Sequence, residues 1–339
     1  MAAPPAAAVF HAQRRRVLMA ALGAAAHMWG KTAPADFDGW FDRNVDELVD
    51  VTAKAQERAA EPGGAYVAEA LREQGTPVAA EAAVRPQALA GVASDGRPLD
   101  SLLYGSVIRA KAAMKGTDGS VAAQNLAWQA GRDALLLRVQ TQVSDASRVS
   151  TGLSTFVRPQ VGFVRMLVGK SCSRCAVLAG RKYRTPAFQR HPGCDCQMIP
   201  ELDAADDLTT DPKMYFDSLG AEEQDRIFTK AGAQAIRDGA DPSQVVNARR
   251  GMTTASSGRM VKAQIYGQHI AATTEGMTRR GLAHKAVRRR HGAFEEIRPA
   301  GARYTMAKIP RPMPEAIYEI AADRAEALRL LRIYGYIDP

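Results

Sequence analysis

Apolar residues recur at three- and four-residue intervals over much of the chain, a period that predicts helices. Across residues 11–28, Val17, Leu18, Ala21, Leu22 and Ala25 share one face. Residues 36–58 carry Phe37, Trp40, Phe41, Val45, Leu48 and Val51 at the same spacing, with Asp36 placed as the N-cap. Glu61-Pro62-Gly63-Gly64 breaks that run, and a shorter helix over 65–74 ends at Gly75-Thr76-Pro77. Residues 78–98, with Pro86, Gly91, Gly96 and Pro98, read as a connection. Helical periodicity resumes over 99–115. After Gly116-Thr117-Asp118-Gly119 it runs from 120 to about 142 or beyond, where Leu126, Ala127, Ala130, Ala134, Leu135, Leu137 and Val139 form a core-facing stripe.

The texture then changes. Residues 149–168 are richer in β-branched and aromatic side chains, which predicts short strands. Residues 172–196 read as a small knuckle with a hairpin through Val177, Gly180 and Tyr183, and 201–211 as an acidic loop. One helix is expected over 221–238, with Glu222 and Glu223 in its first turn and Gly239 past its end, then a short one over 241–247. Residues 249–311 show little periodicity. An amphipathic helix through Ile317, Ile320, Ala321, Ala325, Leu328 and Leu331 spans 314–334, and no internal repeat is evident.

These elements predict a mainly α fold with a small β and zinc-knuckle insertion, in a multi-segment helical architecture with extended arms. The expected organisation is a flexible Ala/Pro-rich arm (1–10) and an N-terminal helical domain (11–148). A core containing the knuckle (149–248), a basic loop-rich extension (249–312) and a C-terminal helix (313–339) follow. Aromatic residues make up only 6% of the 339 positions while alanine abounds, which favours helices packed through small contacts. No apolar run reaches the roughly 18 residues that a membrane-spanning helix needs, so no membrane span is expected.

A formal net charge of +9 favours a polyanionic neighbour: nucleic acid, an acidic protein surface or an anionic membrane. The charge concentrates between Arg279 and Arg311, where ten Lys/Arg face two acids, Glu295 and Glu296. Arg279, Arg280, Lys285, Arg288, Arg289 and Arg290 are the candidate nucleic-acid contacts, suited to phosphates and not to sequence readout. Few aromatics interleave to stack bases, and a solvated or partner-facing loop is the competing reading.

All 4 cysteines fall between positions 172 and 196, as Cys172-Ser173-Arg174-Cys175 and His191-Pro192-Gly193-Cys194-Asp195-Cys196. Two close pairs of sulfurs can form a tetrahedral cage, which suits zinc because that ion imposes no geometry of its own. Cys172, Cys175, Cys194 and Cys196 are the expected ligands of a structural zinc. His191 is the alternative ligand in place of Cys194 or Cys196, against a role in hydrogen bonding or in packing beside Pro192. Two disulfides and a redox Cys-x-x-Cys compete with the metal. The first needs an oxidising compartment, yet Arg14-Arg15-Arg16 and the Ala-rich stretch after it lack a convincing cleavage site; the second needs no further cysteine pair downstream.

No catalytic site is expected. His11, His27, His191, His269, His284 and His291 sit in no metalloprotease, nucleophile-elbow or phosphate-loop motif. Serine triads assemble from distant residues, so Ser106 and His269 are the two positions to test.

The run Cys172-Ser-Arg-Cys175-Ala-Val-Leu-Ala-Gly180, followed by Phe188-Gln-Arg-His191-Pro-Gly-Cys194-Asp-Cys196, resembles the signature of the phage Mu F-like minor head proteins, the phage head morphogenesis family. In particular it resembles forms from tailed phages of actinobacteria. Tyr215-Phe-Asp-Ser-Leu219, Val246-Asn-Ala-Arg-Arg-Gly251 and Leu330-Leu-Arg-Ile-Tyr-Gly335 fit more loosely, and the match covers about residues 120–250. Asp195 stands where many relatives carry Arg. The resemblance implies a minor capsid protein made in the host cytoplasm and held inside the head at the portal vertex. The portal protein, major capsid and scaffold proteins and packaged DNA would be its partners. Some relatives are fused to capsid maturation proteases, so a protease acting on scaffold or coat is the alternative; a zinc-knuckle nucleic-acid-binding protein is the second.

Overall fold

The structure, a computed structural model, describes residues 4–167, 171–184, 188, 191, 193–194, 196–202, 208–249, 260–265, 268–273, 282–291, 296–297, 306–307 and 311–337. Its elements are mainly helices, with short antiparallel strands, as the periodicity predicts. The chain divides into two compact units, residues 1–169 with 181–209 and residues 170–180 with 210–339.

The first unit contains α1 (Pro5–Trp29), α2 (Phe37–Ala60), α3 (Gly63–Glu73), α4 (Leu99–Met114) and α5 (Val121–Phe156). The apolar stripes of α1, α2, α4 and α5 meet in a core centred on two indoles. Trp29 and Trp128 stack with ring centroids 4.0 Å apart, and each Nε1–H donates to the other residue's carbonyl at 3.0 Å. That exchange satisfies both polar tips while the rings leave water. Gly131 on α5 has to be glycine here, because a Cβ would lie 2.7 Å from Trp29 and 3.0 Å from the Ser106 carbonyl. Asp36 caps α2 as expected, accepting from the Asp38 amide.

A second core forms where α1 and α3 meet a three-stranded sheet of β1 (Val161–Met166), β2 (Lys182–Tyr183) and β3 (Gln197–Leu202), ordered β2-β1-β3. The flexible arm expected over 1–10 is corrected at this point, since Ala6, Ala7 and Phe10 lie buried in α1 and Phe10 stacks on Tyr66 at 4.2 Å. Proline fits the first turn of a helix and alanine is the strongest helix former, so an Ala/Pro-rich start need not be disordered.

Helix α5 also overturns the boundary drawn at residue 148 and the strands expected over 149–156. It runs unbroken for 36 residues. Its buried threonines are satisfied within the helix, the Thr151 and Thr155 hydroxyls donating to the Ser147 and Thr151 carbonyls, both at 2.9 Å.

In the second unit, α6 (Ser173–Ala179) replaces the hairpin expected from Val177 to Tyr183. The helix expected over 221–238 is two, α8 (Ala221–Phe228) and α9 (Lys230–Arg237), after α7 (Pro212–Asp217). Thr229 separates them at φ 66°, its hydroxyl capping α9 at the Gly232 amide, and the bend lets Phe228 pack edge-on against Phe216. α10 (Pro242–Ala248) follows as expected.

The extension expected to be loop-rich holds regular elements among the described residues. They are β4 (Met260–Ile265), β5 (Gln268–Thr273), α11 (Leu282–His291), β6 (Glu296–Ile297), β7 (Met306–Ala307) and β8 (Arg311–Pro312), with β4-β5-β8 forming one sheet. Buried Arg311 donates to the Tyr334 and Gly335 carbonyls and lies 3.6 Å over the Tyr336 ring. The C-terminal helix is likewise two, α12 (Pro314–Ile320) and α13 (Arg324–Ile333), because Asp323 starts a new helix by accepting from the Glu326 amide.

Candidate metal centre

The turn bearing Cys194 and Cys196 is held by α5 and β1. The Cys194 amide donates to the His191 carbonyl at 3.1 Å, closing a tight turn in which Gly193 adopts φ 75°. A side chain there would be strained by that φ and would meet Leu137 of α5 at 3.2 Å. From α5, Gln140 donates to the Gly193 carbonyl at 3.3 Å and the Thr141 hydroxyl accepts from the Gly193 amide at 3.4 Å. Two turns on, buried Arg148 donates Nε to the Cys196 carbonyl at 3.0 Å and Nη2 to the Cys194 carbonyl, and its Nη1 pairs with buried Asp145 at 3.0 Å. Residues 140, 141, 145 and 148 share a face at helical spacing, so one side of α5 reads the backbone of the turn.

Strand β1 supplies a second guanidinium. Arg165 pairs in register with Met198 of β3, its Nη1 lies 3.8 Å from the Cys194 sulfur, and its Cζ sits 3.8 Å from the Phe188 ring centroid. The Cζ of Arg148 is 5.5 Å from the same ring. Burial draws the Arg148 guanidinium below its ordinary value, and charge on Cys194 pulls the other way. Sequence reasoning missed both arginines. Their only signal is an arginine in a β-branched, apolar strand and another in a helix stretch without apolar periodicity.

Cys172 and Cys175 sit on α6. Cys172 stands just before the first turn, where its carbonyl accepts from the Ala176 amide at 3.1 Å, and Cys175 is buried within that turn. The Ala179 carbonyl at the far end accepts from the Thr210 amide at 3.0 Å.

The ligand atoms of Cys175, Cys194 and Cys196 lie within 4.8 Å of one another, as do those of Cys172, Cys175 and His191. No disulfide joins the four cysteines. A tetrahedron with zinc–sulfur arms of about 2.3 Å has edges of roughly 3.8 Å, so this spacing and this soft donor set fit a thiolate metal. The four expected ligands and the alternative, His191, thus fall in two overlapping groups that share Cys175, a cluster that could hold a metal ion.

The candidate nucleic-acid residues fall partly on α11. Lys285, Arg288 and Arg289 are exposed there while His284 is buried, which corrects the expected loop: positions 285, 288 and 289 share one face of a helix. Arg290 lies on the same helix, and Arg279 and Arg280 lie outside the described residues. Ser106 is fully buried in α4, out of reach of any substrate, and the side chain of His269 on β5 is outside the described residues. No described helix is long and apolar enough to cross a membrane. No family model matches the chain, and no curated protein or solved structure matches it either.

Proposed function

We propose that this chain is a minor capsid protein of a tailed phage, associated with the portal vertex inside the head and lying near packaged DNA. A structural zinc held by Cys172, Cys175, Cys194 and Cys196 would close its cysteine cluster. The observation that carries the reading is the grouping of those four thiols with His191, in the order and spacing of the head morphogenesis signature. The ligands come from a short helix and a tight turn, neither able to bury a core of its own, which is where a metal contributes folding energy. His191 is then a close neighbour able to hydrogen-bond a ligand sulfur. The basic face of α11 suits non-specific contact with phosphates.

The test is joint. Elemental analysis of the purified chain is expected to find zinc bound, and immobilised portal protein is expected to retain the chain. Cys194→Ser should lose the metal and fail to enter heads. Cleavage of scaffold or coat protein, abolished by one Ser or His substitution, would establish the protease instead. Salt-sensitive DNA binding with no portal association would favour the nucleic-acid-binding alternative.

A further inference from the structure

We propose that Arg165 and Arg148 are the built-in counter-charges of the cysteine centre, positioning residues that set how tightly it holds its metal. The inference rests on the zinc reading above. When four cysteine thiols close on a divalent zinc, each S–H bond breaks, four protons leave to solvent and four zinc–sulfur bonds form. The assembled centre then carries two net negative charges. Removing such an anion from water is costly unless cations or hydrogen-bond donors stand beside it.

Two guanidiniums converge on the Cys194–Cys196 turn by different routes. Arg165 points an N–H at the Cys194 sulfur itself, at 3.8 Å. Arg148 binds the Cys194 and Cys196 carbonyls, which places its charge beside the same turn and fixes the direction of both Cα–Cβ bonds. Phe188 explains why the first is an arginine: the flat guanidinium lies 3.8 Å over the ring while its edge faces the sulfur. A lysine ammonium has neither the planar face for the ring nor the fork for the thiolate. Both arginines are buried, at 5% and 2% exposure, so solvent does little to screen their charge from the sulfurs.

Positive charge and N–H donors beside the sulfurs stabilise the anionic centre over the empty site. Removing Arg165 therefore loosens the hold on the metal. The experiment compares the wild-type chain with Arg165→Gln, Arg165→Lys and Phe188→Leu at one fixed pH, using Zn(II) in competition with a chromophoric chelator and Co(II) as a spectroscopic probe. Arg165→Gln is expected to bind zinc about 10- to 100-fold more weakly, the usual range when a group supporting a metal ligand is lost. The cobalt–thiolate band should keep its position because the ligands are unchanged. Arg165→Lys and Phe188→Leu should fall between, the first keeping charge without the fork and the second loosening the clamp.

Wild-type affinity in Arg165→Gln would overturn the proposal and leave the zinc reading standing. If the wild-type chain binds no metal, both fall. Should Arg165→Gln not fold with zinc present, the other two variants decide, and wild-type affinity in both overturns the proposal.

Discussion

The two halves of α5 are buried by opposite means. From Ala127 to Val143 the helix presents Trp128, Leu135, Val139 and Val143 to an apolar core. From Ser144 to Thr155 nearly everything it buries is polar: serines, threonines, Asp145 and Arg148. The first half is stabilised by removing apolar surface from water; in the second, Arg148, Ser150, Thr151 and Thr155 donate to backbone carbonyls, while the buried Ser147 and Ser154 hydroxyls make no hydrogen bond among the described residues. The difference bears on function, because the polar half supplies Arg148, which binds the Cys194 and Cys196 carbonyls, while Gln140 and Thr141 at the end of the apolar half reach Gly193. A greasy face could pack against that turn, but it could not orient its carbonyls or place charge beside its sulfurs.

The contrast predicts an order of mutational effects. Trp128→Ala removes the stacked indole and its reciprocal hydrogen bond, and should cost about 4 kcal/mol in denaturant unfolding, with or without a chelator. Arg148→Met strips the donors from two carbonyls and removes the ion pair of Arg148 with buried Asp145, which should cost about 3 kcal/mol and weaken metal binding as well. A larger loss for Arg148→Met than for Trp128→Ala would break the comparison and make the polar half the stronger anchor. Ser150→Ala removes one buried hydrogen bond, from its hydroxyl to the Ala60 carbonyl at 2.6 Å, and should cost only about 1 kcal/mol. Ser150→Val would sharpen the point, since Gly63 leaves no room: a Cβ there would already lie 3.1 Å from that of Ser150. The valine should therefore destabilise more than the alanine, though it is the more hydrophobic residue.

The same contrast governs what was legible beforehand. The stripe from Leu126 to Val139 identified the first half of α5, yet Leu126 is exposed and the stripe's true centre is Trp128, which the period alone did not single out. The polar half read as a change towards strand because β-branched residues favour sheets on average, a preference that tertiary burial of this stretch as helix overrides. The breaks at Thr229 and at 321–323 were hidden for a related reason: each is made by a capping side chain inside an otherwise continuous helical period.

By itself the sequence determined the helical class, most helix starts, the basic segment and the five candidate metal ligands. Periodicity, capping chemistry and cysteine spacing are local properties, carried by residues a few positions apart. Only the tertiary structure decided that Pro5–Phe10 packs into a core, that α5 continues through a buried polar stretch, and that Arg148 and Arg165 flank the cysteine turn. Those outcomes depend on which distant groups meet and whether their charges and hydrogen bonds are satisfied there, and no period along a single chain encodes that.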